Sequence, residues 1–180
     1  MHPRTRELLD HLDTRRAELR AAVDQVPPGL RRQRPEPSRW SVAEILEHLV
    51  VVQRRMTQIL AAQISAAREE GVGPESETSP VLDSFNMAPL LDRRTPRVAS
   101  EASSPRGEMD ADAAWEALEQ SKIAFRDAVL SGDGLALSQR TLPHPALGPL
   151  NLYHWIAFAG AHEARHAAQI REIAGRFSAS

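Results

Sequence analysis

The chain has 180 residues, 22 basic and 24 acidic, with 42% hydrophobic side chains and no cysteine. That length and apolar content support a single domain over residues 1–180 with one core, and the near balance of charge excludes the basic field that draws proteins onto nucleic acid or anionic membranes. The absence of cysteine excludes disulfides, thiolate metal sites and a cysteine nucleophile, which leaves histidine and carboxylate as metal ligands.

The stretch from Met1 to Leu12 carries charges throughout, and the longest apolar run, Trp155 to Ala161, is far below membrane-spanning length, so a cytoplasmic protein is expected. From Arg4 to about Val26, Leu8, Leu9, Leu12, Leu19, Ala22 and Val23 recur at helical steps and predict an amphipathic helix that Pro27 and Pro28 end. Ser41-Val-Ala-Glu44 reads as a capping box, with Trp40 placed to staple the first turn of a second helix. That helix is predicted from Val42 to about Arg68, with Ile45, Leu49, Val52, Met56 and Ile59 on its seam and Gly71 and Gly73 as its stop.

Between Gly71 and Met109, Pro74, Pro80, Pro89, Pro96 and Pro105 argue against a regular element of any length. Leu82, Phe85, Met87, Leu90 and Leu91 make this crossover too apolar for a free linker, so part of it is expected to lie across the helices. A third helix is predicted from an aspartate cap, Asp110 or Asp112, to Gly132, read as a left-handed stop. After a loop with Pro143, Pro145, Gly148 and Pro149, Asn151 can cap a last helix reaching Gly175. No useful strand alternation is visible. The expected fold is all-α, an up-down four-helix bundle with a long crossover loop between the second and third helices.

In the last helix His162-Glu163-Ala164-Arg165-His166 places two imidazoles one turn apart on one face. Leu152, Trp155, Ala159, His162, His166 and Ile173 follow one seam, so both histidines stand where a core expects leucine. Neutral imidazoles buried there need partners for their nitrogens, and one metal ion satisfies both at once. On the second helix His48 follows Ile45 and precedes Val52 on the core side, which makes it the third ligand. Three imidazoles leave a coordination position open for water or substrate. The other histidines gain no such support: His11 reads as lying on the polar side of the first helix, His144 in a loop, and His154 off the seam.

His-Glu-x-x-His is also the zincin protease signature. Arg165 intrudes between the histidines, Gln169 and Glu172 stand where the metzincin extension needs glycine and histidine, and only 14 residues follow His166. Protease is therefore set aside. If the site hydrolyses its substrate, Glu163 is the nearest candidate for the base, although a glutamate beside a seam histidine is more often a salt-bridge partner. Glu44 and Glu47 could orient His48, with helix charge pairing the simpler role.

The run Trp40-Ser41-Val42-Ala43-Glu44-Ile45-Leu46-Glu47-His48-Leu49, with Gly148-Pro149-Leu150 leading into Ala161-His162-Glu163-Ala164-Arg165-His166-Ala167-Ala168-Gln169-Ile170, resembles the DinB-like superfamily and is closest to its YfiT-type metal-dependent hydrolases. The resemblance extends from the first helix to Ile173. It implies an up-down four-helix bundle, a zinc or nickel site on His48, His162 and His166, and a homodimer. Members include thiol S-transferases and a maleylpyruvate isomerase that use low-molecular-weight thiols such as bacillithiol, mycothiol or glutathione. A metal-dependent hydrolase or small-thiol transferase acting on a small-molecule substrate is thus the implied function. A bundle that binds metal or a partner helix without catalysis is the alternative.

Overall fold

The computed structural model describes residues 1–94, 98–145 and 147–178. Four long helices carry most of the chain: α1 (Pro3–Asp24), α2 (Val42–Glu69), α4 (Ala111–Ser131) and α5 (Leu152–Ser178), with a short α3 (Ala88–Leu91) inside the crossover. The expected start signals are used. Ser41 accepts from the Glu44 amide while the Glu44 carboxylate accepts from the Ser41 amide, and Asp110 accepts from the Ala113 amide. Asn151 accepts from the His154 amide at the start of α5.

The stops differ in mechanism. Gly71, at φ +75°, ends α2 in the left-handed region, and the Val72 amide reaches back to the Ala67 carbonyl at 2.9 Å. Gly132 is not such a stop, because its φ is −95°. It is there for space, since a Cβ at this position would come 2.9 Å from Ile64 Cδ1 of α2.

A two-stranded antiparallel hairpin, β1 (Thr141–His144) and β2 (Gly148–Asn151), replaces the expected loop before α5. Pro143 and Pro149 argued against strands, yet they stand opposite each other. In a ribbon with no third strand each proline can turn its missing N–H outward, so neither interrupts a ladder.

The contacts fix the sense of each helix pair. Along α1 and α5, Arg4 lies over Tyr153, His11 meets Ala157 and Arg16 meets Glu163, so the two run parallel. Gln53 meets Ser121 and Arg68 meets Ser131, so α2 and α4 are parallel too. His48 meets His162, and Arg39 just before α2 meets Glu172, so α2 and α5 are antiparallel. A parallel α2–α4 pair obliges the chain to travel back the full length of α2, roughly 40 Å for its 28 residues, before α4 begins.

That return is the proline-rich segment, which is tied down along its course. Glu7 of α1 accepts from the Val81 and Leu82 amides, Val81, Phe85 and Leu90 are buried, and Arg165 of α5 donates to the Leu90 and Asp92 carbonyls. Leu91 stays exposed, and Pro96 lies outside the described residues.

The apolar interior falls into two clusters. One joins Leu8, Leu9, Met56, Leu60, Phe125 and Ile156, and the other Leu19, Val23, Ile45, Leu46, Leu118 and Ile170. Between them, on successive helices, come Arg16, Gln53, Ser121 and Glu163, all buried. A polar layer therefore divides the core, with Glu163 directly beside His162 on α5.

Candidate metal centre

His48, on the second turn of α2, and His162 and His166, one turn apart on α5, come together, and one ring nitrogen from each lies within 4.8 Å of the others. The Nε2 atoms of His48 and His162 are 3.3 Å apart, and those of His166 and His162 are 3.1 Å apart. Bonds of about 2.0–2.1 Å to a tetrahedral zinc place ligand nitrogens about 3.3–3.4 Å apart. The spacing suits a single ion.

The far side of two rings sets their protonation. His48 Nδ1 donates to the Ser103 carbonyl at 2.6 Å, and a carbonyl can only accept. His166 Nδ1 donates to Gln169 Oε1 at 2.9 Å. With the proton held on Nδ1, each Nε2 turns a lone pair toward His162. One proton on His162 Nε2 can satisfy only one of these two contacts. A cation among the three nitrogens satisfies all of them, and outward hydrogen bonds of this kind orient metal-binding imidazoles.

Electrostatics keep the rings neutral. Burial, with repulsion from His48, Arg165 and His144, pulls the His162 pKa down to about 3. Burial and the neighbouring His162 and His48 hold His166 well below its ordinary value, and burial lowers His48, against the raising effect of the Ser103 carbonyl. The metal-free fold should therefore be acid-sensitive. Below the unfolded value of 6.5 the unfolded chain binds protons that the folded chain refuses. Stability is thus full above about pH 6.5 and falls as pH drops below it, toward the lowered folded values. Urea titrations of chelator-treated protein at pH 7.5, 6.5 and 5.5 should show this decline, and a flat profile would contradict the burial of neutral imidazoles.

Aromatic rings complete the surroundings. Phe158 stacks on His162 at 5.4 Å, Trp40 lies 5.0 Å from His48, and His144 sits 4.3 Å from Phe158. His144 is thus a hairpin residue close to the site. His11 is not on a polar surface: it is 5% exposed, wedged between α1 and α5 with Nε2 3.2 Å from the Ala157 carbonyl. Gly160 leaves it room, since a Cβ there would overlap the imidazole. His154 pairs with Ser84 and stacks on Phe85, at a separate place.

The carboxylates nearest in sequence to the ligands have other partners. Glu163 is 5% exposed, and its two oxygens accept from Arg16 Nε at 2.9 Å and Nη2 at 2.6 Å. Arg16 also reaches Gln53, Glu119 and the Leu118 carbonyl. Burial works against the Arg16 charge, but the carboxylates of Glu163 and Glu119 more than offset it and raise its pKa. Glu44 binds Arg34, and Glu47 accepts from the Arg106 and Gly107 amides of the crossover. Neither glutamate bonds His48 itself; Ser103 does, through a backbone atom that no sequence pattern marks. Gln169, three residues beyond His166 on the same helical face, was the findable partner.

Helices that bring three imidazoles to one point, two of them anchored through their outer nitrogens, define a class of helical protein whose three-histidine group could hold a metal ion. The chain belongs to the DinB superfamily, whose family model matches residues 11–170. It is similar to the protein of Bacillus subtilis (strain 168) named "Uncharacterized protein YuaE", 26% identical over 141 residues that cover 78% of this chain and 81% of that protein. No solved structure matches the chain at a significant level. Among the described residues no helix is long and apolar enough to cross a membrane.

Proposed function

We propose that this protein binds one divalent metal ion, zinc or nickel, on His48, His162 and His166, and works as a metal-dependent enzyme that uses a low-molecular-weight thiol. The observation that carries this reading is the convergence of three Nε2 atoms, two of them on rings whose outer nitrogens are already anchored. The helices are read as a four-helix bundle in the order up-down-down-up, rather than strictly alternating. The parallel α1–α5 and α2–α4 pairs support that order, with residues 71–109 as the long crossover. The same reading takes the protein as a cytoplasmic homodimer, on the family resemblance.

A divalent ion held by His48, His162 and His166 would lower the pKa of a small thiol or water that reached it. What the protein adds is three neutral ligands and an aromatic surround of Trp40 and Phe158. Glu163, Glu44, Glu47 and Glu172 are engaged by Arg16, Arg34, backbone amides, and Arg39 with Arg93. Each of these carboxylates already has a cationic or amide partner, which weighs against a role as general base. A thiol, ordinarily at about 8.5, needs a far smaller shift than water to ionise without a base. That favours thiol transfer over hydrolysis, and a chain without cysteine draws its thiol from a small molecule.

Elemental analysis of tag-free protein is expected to find about one zinc or nickel per chain. The loaded protein, and not the stripped one, should accelerate conjugation of a small thiol to an electrophile. Metal without turnover across thiols and hydrolysable esters would make this a non-catalytic bundle. No metal after reconstitution would remove the reading altogether.

A further inference from the structure

We propose that Glu47 is a positioning residue for the histidine triad: by clamping residues 103–107 of the crossover onto α2, it fixes the carbonyl that orients His48. This rests on the metal-site reading above, and it assigns a role to a residue outside the ligand set.

Glu47 is buried, and its carboxylate takes two consecutive backbone donors, Arg106 N at 3.2 Å and Gly107 N at 2.8 Å. Gly107 has φ +75°, a left-handed conformation that other residues adopt with strain. Three residues before Arg106, the Ser103 carbonyl receives His48 Nδ1 at 2.6 Å. Glu47 and His48 are neighbours on α2, so one helical turn holds both ends of the same short loop. Pro105, between the two contacts, has a fixed φ that shortens the play of the connection.

Among the described residues, the Ser103 carbonyl is joined to α2 by the His48 hydrogen bond. It ends a three-residue helical turn, Glu101–Ser103, whose other bonds, Ser104 N to Glu101 O and Ser100 Oγ to Ser103 Oγ, are internal to the crossover. Releasing the Glu47 clamp lets this turn drift. His48 then loses the acceptor that keeps its proton on Nδ1 and its lone pair on Nε2, and the third ligand is no longer preset.

The chain contains a matched control. Glu7 of α1 accepts from the Val81 and Leu82 amides at 2.7 and 3.1 Å, the same two-amide clamp at the far end of the crossover. The test compares Glu47→Gln with Glu7→Gln, each keeping shape while losing one acceptor oxygen. Zinc affinity is measured by competition with a chromophoric chelator, the His48 ring N–H resonance by NMR on metal-free protein, and folding by circular dichroism and thermal unfolding. Gly107→Ala disturbs the same clamp from the loop side, where nothing crowds a Cβ, and serves if Glu47→Gln does not fold.

Glu47→Gln or Gly107→Ala should weaken zinc by about tenfold to a hundredfold, the usual cost of losing an outer hydrogen-bond partner, and shift or broaden the His48 N–H resonance. Glu7→Gln should lose comparable stability with zinc affinity unchanged. Parent-like zinc affinity in the Glu47 and Gly107 variants, or an equal loss in Glu7→Gln, would overturn the assignment. If the parent itself takes no zinc, the metal reading has failed, and the N–H resonance of the metal-free variants still decides whether Glu47 positions His48.

Discussion

Replacing any one of His48, His162 or His166 by alanine should weaken zinc binding by about two to three orders of magnitude. Structural zinc sites with four ligands are worth about 10–16 kcal/mol, so one ligand carries roughly 2.5–4 kcal/mol, and about 1.4 kcal/mol is a factor of ten. The loss should be similar at all three positions, because each ring offers one nitrogen to a common point. His48→Ala also frees the Ser103 carbonyl, and His166→Ala frees Gln169, but both partners lie where water can replace the imidazole. Metal-free stability should therefore move much less than affinity. Chelator competition paired with thermal unfolding of the stripped variants measures both quantities. A variant that keeps zinc within about tenfold of the parent would place the ion elsewhere.

Breaking the Arg16–Glu163 pair by removing Arg16 should cost about 3–5 kcal/mol, because Glu163 is then a buried charge without a counterion, and removing Glu163 should cost less, because Arg16 keeps Glu119. Both side chains are 6% exposed, and the pair ties α1 to α5 in the middle of the core. For a chain of this size that is roughly 6–20 °C in Tm. Arg16→Met should show it in full by thermal unfolding, and Glu163→Gln a smaller part of it. The double variant Arg16→Met with Glu163→Leu should recover part of the loss, since an apolar pair leaves no charge unanswered. The same experiment separates two roles for Glu163. A general base would give a Glu163→Gln variant of normal stability and zinc content with abolished turnover; the structure leads us to expect the stability defect, with zinc affinity following the fold.

Much of the local structure was legible because its causes are local. The Ser41–Glu44 capping box, the Asp110 and Asn151 caps and the prolines after α1 each act within a few residues, and the fold uses every one of them. The three histidines could be singled out for a related reason: helical periodicity tells which face a residue occupies, and an imidazole on an apolar face announces an unmet need. The hairpin of residues 141–151 was hidden because prolines mask strand character unless one knows that the ribbon has no third strand. His11 was misplaced because its neighbours on α1 are polar, while its burial depends on Gly160, far away in sequence.

By itself, then, the amino-acid sequence determined the four long helices, their ends to within a few residues, the face on which His48, His162 and His166 stand and the family to which the chain belongs. Only the tertiary structure decided which carboxylates are free and which are spent. Glu163 and Glu47 both flank a triad histidine in sequence, yet one is bound by Arg16 from α1 and the other by amides of the crossover. It also decided that a backbone carbonyl, Ser103, orients His48. The reason is that a side chain's direction follows from its own helix, whereas its partner depends on which other segment the packing brings opposite. Here the parallel α2–α4 pair sends the crossover back along α2 and lays Ser103 against His48.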